Sequence, residues 1–222
     1  MTFSDWLARC PLVAILRGLR PEEAEAVGDA LVGAGVAILE VPLNSPRPIE
    51  SIRRLSARFG GEALVGAGTV MTEAQVAEVA EAGGRLLVTP HADPALVRAA
   101  KARGMLAAPG FFTPAEAFSL LAAGADALKL FPAEAASPAV AKALLAVLPP
   151  GTALLPVGGM SAETIGPWRA AGAAGFGVGG SLYKPGDAPE AVGARARALV
   201  GRWRRGVERF GSVIGGADRF GA

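Results

Sequence analysis

The sequence predicts an α/β chain folded as a single (β/α)8 (TIM) barrel. Two observations carry that expectation. Short β-type runs alternate with Ala-rich amphipathic stretches along nearly the whole chain, and strands that alternate with helices pair in parallel. The alternation also repeats eight times, one unit every ~23 residues, which matches a barrel with short loops. A doubly wound open sheet is the competing architecture. Against it, no G-x-G-x-x-G follows the first strand, and the repeat runs past six units.

Taken in order, residues 1–10 read as a short leading helix. Strands are expected to begin near Leu12 (LVAIL), Val36 (VAILEVPL), Ala63 (ALVGAG), Arg85 (RLLVTP), Met105 (MLAAPG), Asp126 (DALKLF), Ala153 (ALLPVGG) and Ala174 (AGFGVGG). Of the intervening helices, PEEAEAVGDALVGAG sets Ala24, Val27, Ala30 and Leu31 along one face, the helical spacing of a buried stripe. Helix starts are marked by Thr72 with Glu73, Asp93-Pro94, Thr113-Pro114, Ser137-Pro138, and Ser161 followed by Glu163. Their side-chain oxygens cap free N–H groups, and proline needs no donor there. Glycines at 33/35, 83/84, 104, 124 and 172 mark the ends. No domain boundary is visible, so residues 1–222 read as one domain, with a Gly-rich tail after about residue 206 expected to fray.

Of the 222 residues, 51% are apolar and 19% charged, and mean hydropathy is +0.39, enough to bury a sizeable core. No unbroken apolar run reaches the roughly 18 residues of a membrane span. The start, MTFSDWLARCPLVAILRG, lacks the layout of a signal peptide. Cys10 is the lone cysteine, which excludes an internal disulfide, fits a reducing compartment and points to the cytoplasm. His91 is the lone histidine, which argues against a His/Cys metal site; no cofactor is expected. Net charge is +2 with 6% aromatics, and the basic residues are scattered except in the tail, a poor fit to nucleic-acid binding. The expected partner is a small-molecule substrate, with neither nucleic acid nor membrane.

In a barrel of this kind the chemistry sits at the C-terminal ends of the strands. That rule selects Arg17, Glu40, Asn44, Thr69, Pro90, Phe131 and the loops after the last two strands. Lys129 stands out most. Leu128 and Leu130 flank it, and strand alternation turns it to the opposite face, into the interior. Burial there lowers the ammonium pKa and leaves an amine able to attack a carbonyl; the alternatives are an internal Lys–Glu ion pair or a strand-end lysine facing solvent. Glu40, between Leu39 and Val41, has the same inward parity. A desolvated carboxylate there relays protons near neutral pH, or simply neutralises Lys129 or Arg17. Arg17 ends the first strand as a clamp for a carboxylate or phosphate, or as an ordinary loop arginine. The paired glycines Gly158-Gly159 and Gly179-Gly180, the latter followed by Ser181, suit an anion cradled by backbone N–H groups, or tight turns. His91 reads as a loop residue and Cys10 as inert. The segment Gly66-Ala67-Gly68-Thr69 suggests close backbone approach at a strand end.

The segments VAILRG, LEVPLNSP, VGAGTV, VTP, APG, LKLFPAE, PVGG and GGSLY, in this order over residues 11–185, resemble the 2-keto-3-deoxy-6-phosphogluconate and 2-keto-3-deoxy-6-phosphogalactonate aldolases. The resemblance implies a trimeric barrel and a class I aldolase that uses a lysine Schiff base without metal. It implies Lys129 as the Schiff-base lysine and Glu40 as the proton shuttle. By the same resemblance Thr69, Pro90 and Phe131 surround the pyruvyl unit, and Gly158, Gly159, Gly179, Gly180 and Ser181 form the phosphate site. Phosphogluconate-type members often carry Leu-Arg-Thr after the glutamate strand. This chain has Leu43-Asn44-Ser45, more similar to the phosphogalactonate branch, which leaves Arg17 to meet the substrate carboxylate. The expected products are pyruvate and D-glyceraldehyde 3-phosphate. A sugar-phosphate isomerase or epimerase on the same barrel, or a non-catalytic phosphate-binding scaffold, are the rival readings.

Overall fold

The structure, a computed structural model, describes residues 1–214. Helix α1 (Phe3–Arg9) precedes β1 (Leu12–Ile15), α2 (Pro21–Gly33), β2 (Ile38–Pro42), α3 (Pro48–Phe59), β3 (Leu64–Gly68), α4 (Glu73–Glu81), β4 (Leu86–Val88), α5 (Pro94–Lys101), β5 (Leu106–Ala108) and β6 (Gly110–Phe111). Then come α6 (Pro114–Ala122), β7 (Leu128–Leu130), α7 (Pro138–Leu145), β8 (Leu154–Pro156), α8 (Ile165–Ala170), β9 (Phe176–Val178) and α9 (Pro189–Ile214). The tail expected to fray from about residue 206 begins inside α9, and residues 215–222 lie outside the described residues.

Every strand pair is parallel, as the alternating helices require. The strands form a curled six-stranded sheet, ordered β5-β4-β3-β2-β1-β9, and a three-stranded sheet, β6-β7-β8. The expected fifth strand is divided. Pro109 lacks an N–H to continue the ladder, and the chain changes partner there, from β4 before it to β7 after it. The two sheets meet along this strand, where Ala127 and Lys129 N–H donate to the Ala107 and Pro109 carbonyls at 3.2 and 2.9 Å. On their other side a parallel bridge pairs Val157 with Gly177.

The expected caps at Thr72, Asp93, Thr113 and Ser137 each accept a backbone N–H from the first turn of α4, α5, α6 and α7. Ser161 differs. Its N–H donates to Thr164 Oγ1 at 2.8 Å, and its own Oγ accepts from Glu163 N–H at 3.3 Å. These local bonds compete with helical ones, and α8 starts only at Ile165. On α2 the buried stripe is Ala24, Val27, Gly28 and Leu31. Gly28 is required by α3: a Cβ there would lie 2.4 Å from the Phe59 ring. Among the described residues no helix is long and apolar enough to cross a membrane.

Helix α1 closes the end of the sheet opposite the expected site. A capping box between Thr2 and Asp5 starts it, and Phe3, Trp6 and Leu7 are buried. Phe3 reaches furthest, lining an interior space together with Val13, Ile15, Leu86 and Leu155. Replacing Phe3 by Ala removes this plug. The expected cost is about 3–5 kcal/mol, read as a lower urea midpoint; a change under about 1 kcal/mol would show that α1 is not part of the core.

Candidate active site

Strand alternation decides where the two informative residues point. On β7, Leu128 and Leu130 are fully buried on one face, while Lys129, 8% exposed, lies on the other. On β2, Leu39 and Val41 flank Glu40, which is 1% exposed. Lys129 and Glu40 line one interior space with Phe3, Val13, Ile15, Leu86, Val88, Ala108, Leu155 and Val157. Its free volume is about 10 Å³, at the lower limit for a single water. Two ionisable side chains therefore share a nearly dry apolar chamber.

Glu40 fits because β3 gives way to it. A Cβ on Gly68 would lie 1.2 Å from Glu40 Oε1, so only glycine leaves room for the carboxyl group. Glu40 Oε2 is buried and has no hydrogen-bond partner. Burial pushes the Glu40 carboxyl above the usual carboxylate range, against the opposing pull of Lys129 and Arg17. Lys129 moves the other way: burial lowers it, Glu40 opposes, and Arg17 adds to the lowering. Its Nζ lies 4.7 Å from the centroid of the Phe131 ring. The ion pairs of the described residues do not include Lys129 with Glu40. Of the alternatives open for Lys129, neither a direct Lys–Glu pair nor a solvent-facing lysine fits this arrangement.

The loops after the strands surround this pair. Arg17, exposed after β1, donates through Nη1 to Asn44 Oδ1 at 2.7 Å. Beside it, Gly18 N–H donates to Ser45 Oγ at 2.9 Å, so the Asn44-Ser45 pair grips the loop that carries the arginine. Thr69, half-buried after β3, adopts φ +58°, a left-handed conformation uncommon for a non-glycine residue. Pro90 is half-buried after β4. The preceding Thr89 is fully buried; its hydroxyl donates to His91 O at 2.6 Å and accepts from Gly110 N–H at 3.1 Å. His91 sits in this loop with Nδ1 buried and unpartnered. Cys10 is fully buried, and burial pushes its thiol up, in keeping with an inert residue.

The glycine pairs differ from each other. Gly179 and Gly180 open onto free space, with nothing closer than 4.0 Å to an added Cβ. Gly158, at φ +106°, instead makes room for Glu134, whose Oε2 would lie 1.8 Å from an added Cβ. Ser181 Oγ donates to Met160 O at 2.6 Å and ties the two loops together. Sequence reasoning missed Glu134, although it stands in the same LKLFPAE segment as Lys129. It also missed the specific reason for Gly68, which only coordinates reveal, because Glu40 is 28 residues away in sequence.

A buried amine of lowered pKa faces a carboxyl of raised pKa, below a mouth that carries the exposed, Asn44-held Arg17 guanidinium and an open glycine turn. That set is suited to covalent attack on a carbonyl with proton transfer alongside. Comparison with known proteins agrees. The family model described as Aldolase: KDPG and KHG aldolase matches residues 4–191. A Rhizobium meliloti (strain 1021) protein named probable 2-dehydro-3-deoxy-6-phosphogalactonate aldolase is 47% identical over 86% of this chain and 90% of its own length. The Escherichia coli (strain K12) 2-dehydro-3-deoxy-6-phosphogalactonate aldolase is 43% identical, covering 92% of this chain and 100% of that protein. A solved structure described as native KDPGal superposes with a TM-score of 0.88 at 44% identity, covering 90% of this chain and 97% of that one. From the paired interior residues to the family match over residues 4–191, the observations converge: the chain belongs to the KDPG and KHG aldolase family.

Proposed function

We propose that the protein is a class I aldolase that cleaves 2-keto-3-deoxy-6-phosphogalactonate to pyruvate and D-glyceraldehyde 3-phosphate, with the gluconate epimer as the weaker substrate. The observation that carries this reading is the burial of Lys129 and Glu40 in one chamber, with opposite pKa displacements. The galactonate preference rests on the names of the two relatives above and on Asn44-Ser45 after β2. No observation favours an isomerase, an epimerase or a non-catalytic scaffold.

In this reading Lys129 Nζ adds to the C2 ketone, and loss of water from the carbinolamine gives an iminium. Glu40 moves the protons these steps require, then takes the C4 hydroxyl proton as the C3–C4 bond breaks. The electron pair of that bond passes into the iminium to form an enamine, and C4 leaves as the aldehyde carbon. Protonation at C3 and hydrolysis release pyruvate and restore the amine. Arg17, held by Asn44, takes the substrate carboxylate; Thr69, Pro90 and Phe131 surround the pyruvyl unit. The phosphate lies at Gly179, Gly180 and Ser181, with Gly158 and Gly159 on its far side.

The proposed scaffold is one domain and one closed (β/α)8 barrel. Supporting closure are the bonds from β7 to the Ala107 and Pro109 carbonyls and the Val157–Gly177 bridge. The proposed assembly is the cytoplasmic homotrimer that the family resemblance implies, with Phe112 and Phe118 as exposed apolar side chains available to it.

Incubation with pyruvate and borohydride is expected to leave one reduced adduct, on Lys129, and Lys129→Arg is expected to abolish both adduct and turnover. In the same assays kcat/KM is expected to be higher for the galactonate epimer. An adduct elsewhere, or turnover retained by the arginine variant, contradicts the covalent reading. Gly68→Ala, which drives a methyl group into Glu40 Oε1, is expected to lower kcat by at least about 100-fold with circular dichroism unchanged. Wild-type turnover by this variant would remove Glu40 from the reaction.

A further inference from the structure

One part-buried hydrogen bond near the site is not used by the chemistry above. The glycine turn after β9 is closed by Leu182 and Tyr183 N–H, which donate to Gly179 O at 2.8 and 3.0 Å. Ser181 ties one side of the turn to Met160. On the other side the Tyr183 side chain, 2% exposed, donates its hydroxyl to Glu23 Oε1 at 2.8 Å. Glu23 lies in the first turn of α2 and also accepts from Arg20 N–H at 3.1 Å. The same two loops touch again at Gly18, where an added Cβ would lie 2.6 Å from Pro185 Cγ. Gly18 directly follows Arg17. The turn that is open to a phosphate and the arginine loop that is open to a carboxylate are thereby joined by the Tyr183–Glu23 hydrogen bond and by the Gly18–Pro185 contact.

Both partners respond to the contact. Burial and then the Glu23 carboxylate raise the Tyr183 phenol above its ordinary range. Against the cost of burial, the bonds from Tyr183 and Arg20 hold Glu23 below the usual carboxylate range. A phenylalanine would fill the same space without a polar atom to satisfy. The hydroxyl is therefore explained by position rather than by packing.

We infer that Tyr183, through Glu23, is a positioning residue that fixes the distance between the Arg17 loop and the glycine turn, and so selects substrates that carry a terminal phosphate. This rests on the aldolase reading for the identity of the substrate, and extends it to residues that touch no reacting atom. The phosphate end of the site depends on the bond, whereas at the pyruvyl end Arg17 is held separately by Asn44 and its loop by Ser45.

The test separates the two ends. Tyr183→Phe is expected to raise KM for 2-keto-3-deoxy-6-phosphogalactonate about fivefold, the size of one ordinary net hydrogen-bond contribution. Exchange of the methyl hydrogens of pyruvate with solvent, which needs no phosphate, is expected to stay at the wild-type rate. Glu23→Gln keeps an oxygen acceptor and is expected to retain KM within about twofold, while Glu23→Leu behaves like Tyr183→Phe. An unchanged KM, or an equal loss of cleavage and exchange, overturns the inference. Calorimetric titration with inorganic phosphate gives a readout that does not depend on turnover. Binding weakened by Tyr183→Phe supports the inference even if the wild-type protein cleaves neither epimer, a result that would count against the aldolase reading alone. Equal phosphate binding by the two proteins, or none by either, overturns it.

Discussion

The structure is organised around the exclusion of water from Lys129 and Glu40. Each group alone would be costly to bury in charged form, and each responds by moving toward neutrality. Their mutual attraction opposes both shifts but does not outweigh burial. The chamber stays dry because the rest of its lining is apolar, and because Phe3 fills its closed end. Gly68 leaves the space that the Glu40 carboxyl occupies. The access left to the amine is toward the mouth, where Phe131 lies beside it.

The mouth is held as firmly as the chamber, by different means. Asn44 and Ser45 bind the Arg17-Gly18 loop from one side, and Tyr183 with Pro185 binds it from the other. Ser181 then links the glycine turn to the loop after β8. These are side-chain bonds between loops of neighbouring strands, so a shift in one loop is passed to the next. In the proposed chemistry this matters because the substrate is anionic at both ends, and its reacting carbon must stay over a fixed amine.

Much of this architecture is legible in the chain itself. The eight expected strands all appear in place, and the inward parity of Lys129 and Glu40 follows from a period of two residues, a local property. Capping residues at Thr72, Asp93, Thr113 and Ser137 act within one turn and read equally well. The failures are non-local or depend on one bond. Pro109 divides a strand because the chain exchanges partners there, which periodicity does not record. Ser161 carries the signature of a helix start, yet the reciprocal bonds of Ser161 with Thr164 and Glu163 hold the backbone in a turn. The need for glycine at position 68, the carboxylate of Glu134 over Gly158 and the link from Tyr183 to Glu23 each join distant segments, the last across 160 residues. Residue type alone carries no signal for such pairs.

The claim on which the account turns is that the Lys129 amine is displaced from ordinary lysine behaviour by its surroundings. Nitrogen-15 NMR of the lysine side chains, titrated with pH and assigned by comparison with Lys129→Arg, measures this directly. The account predicts that Lys129 loses its proton below the ordinary lysine value of about 10.4, because burial disfavours its charged form. A Lys129 midpoint at or above that value would contradict it.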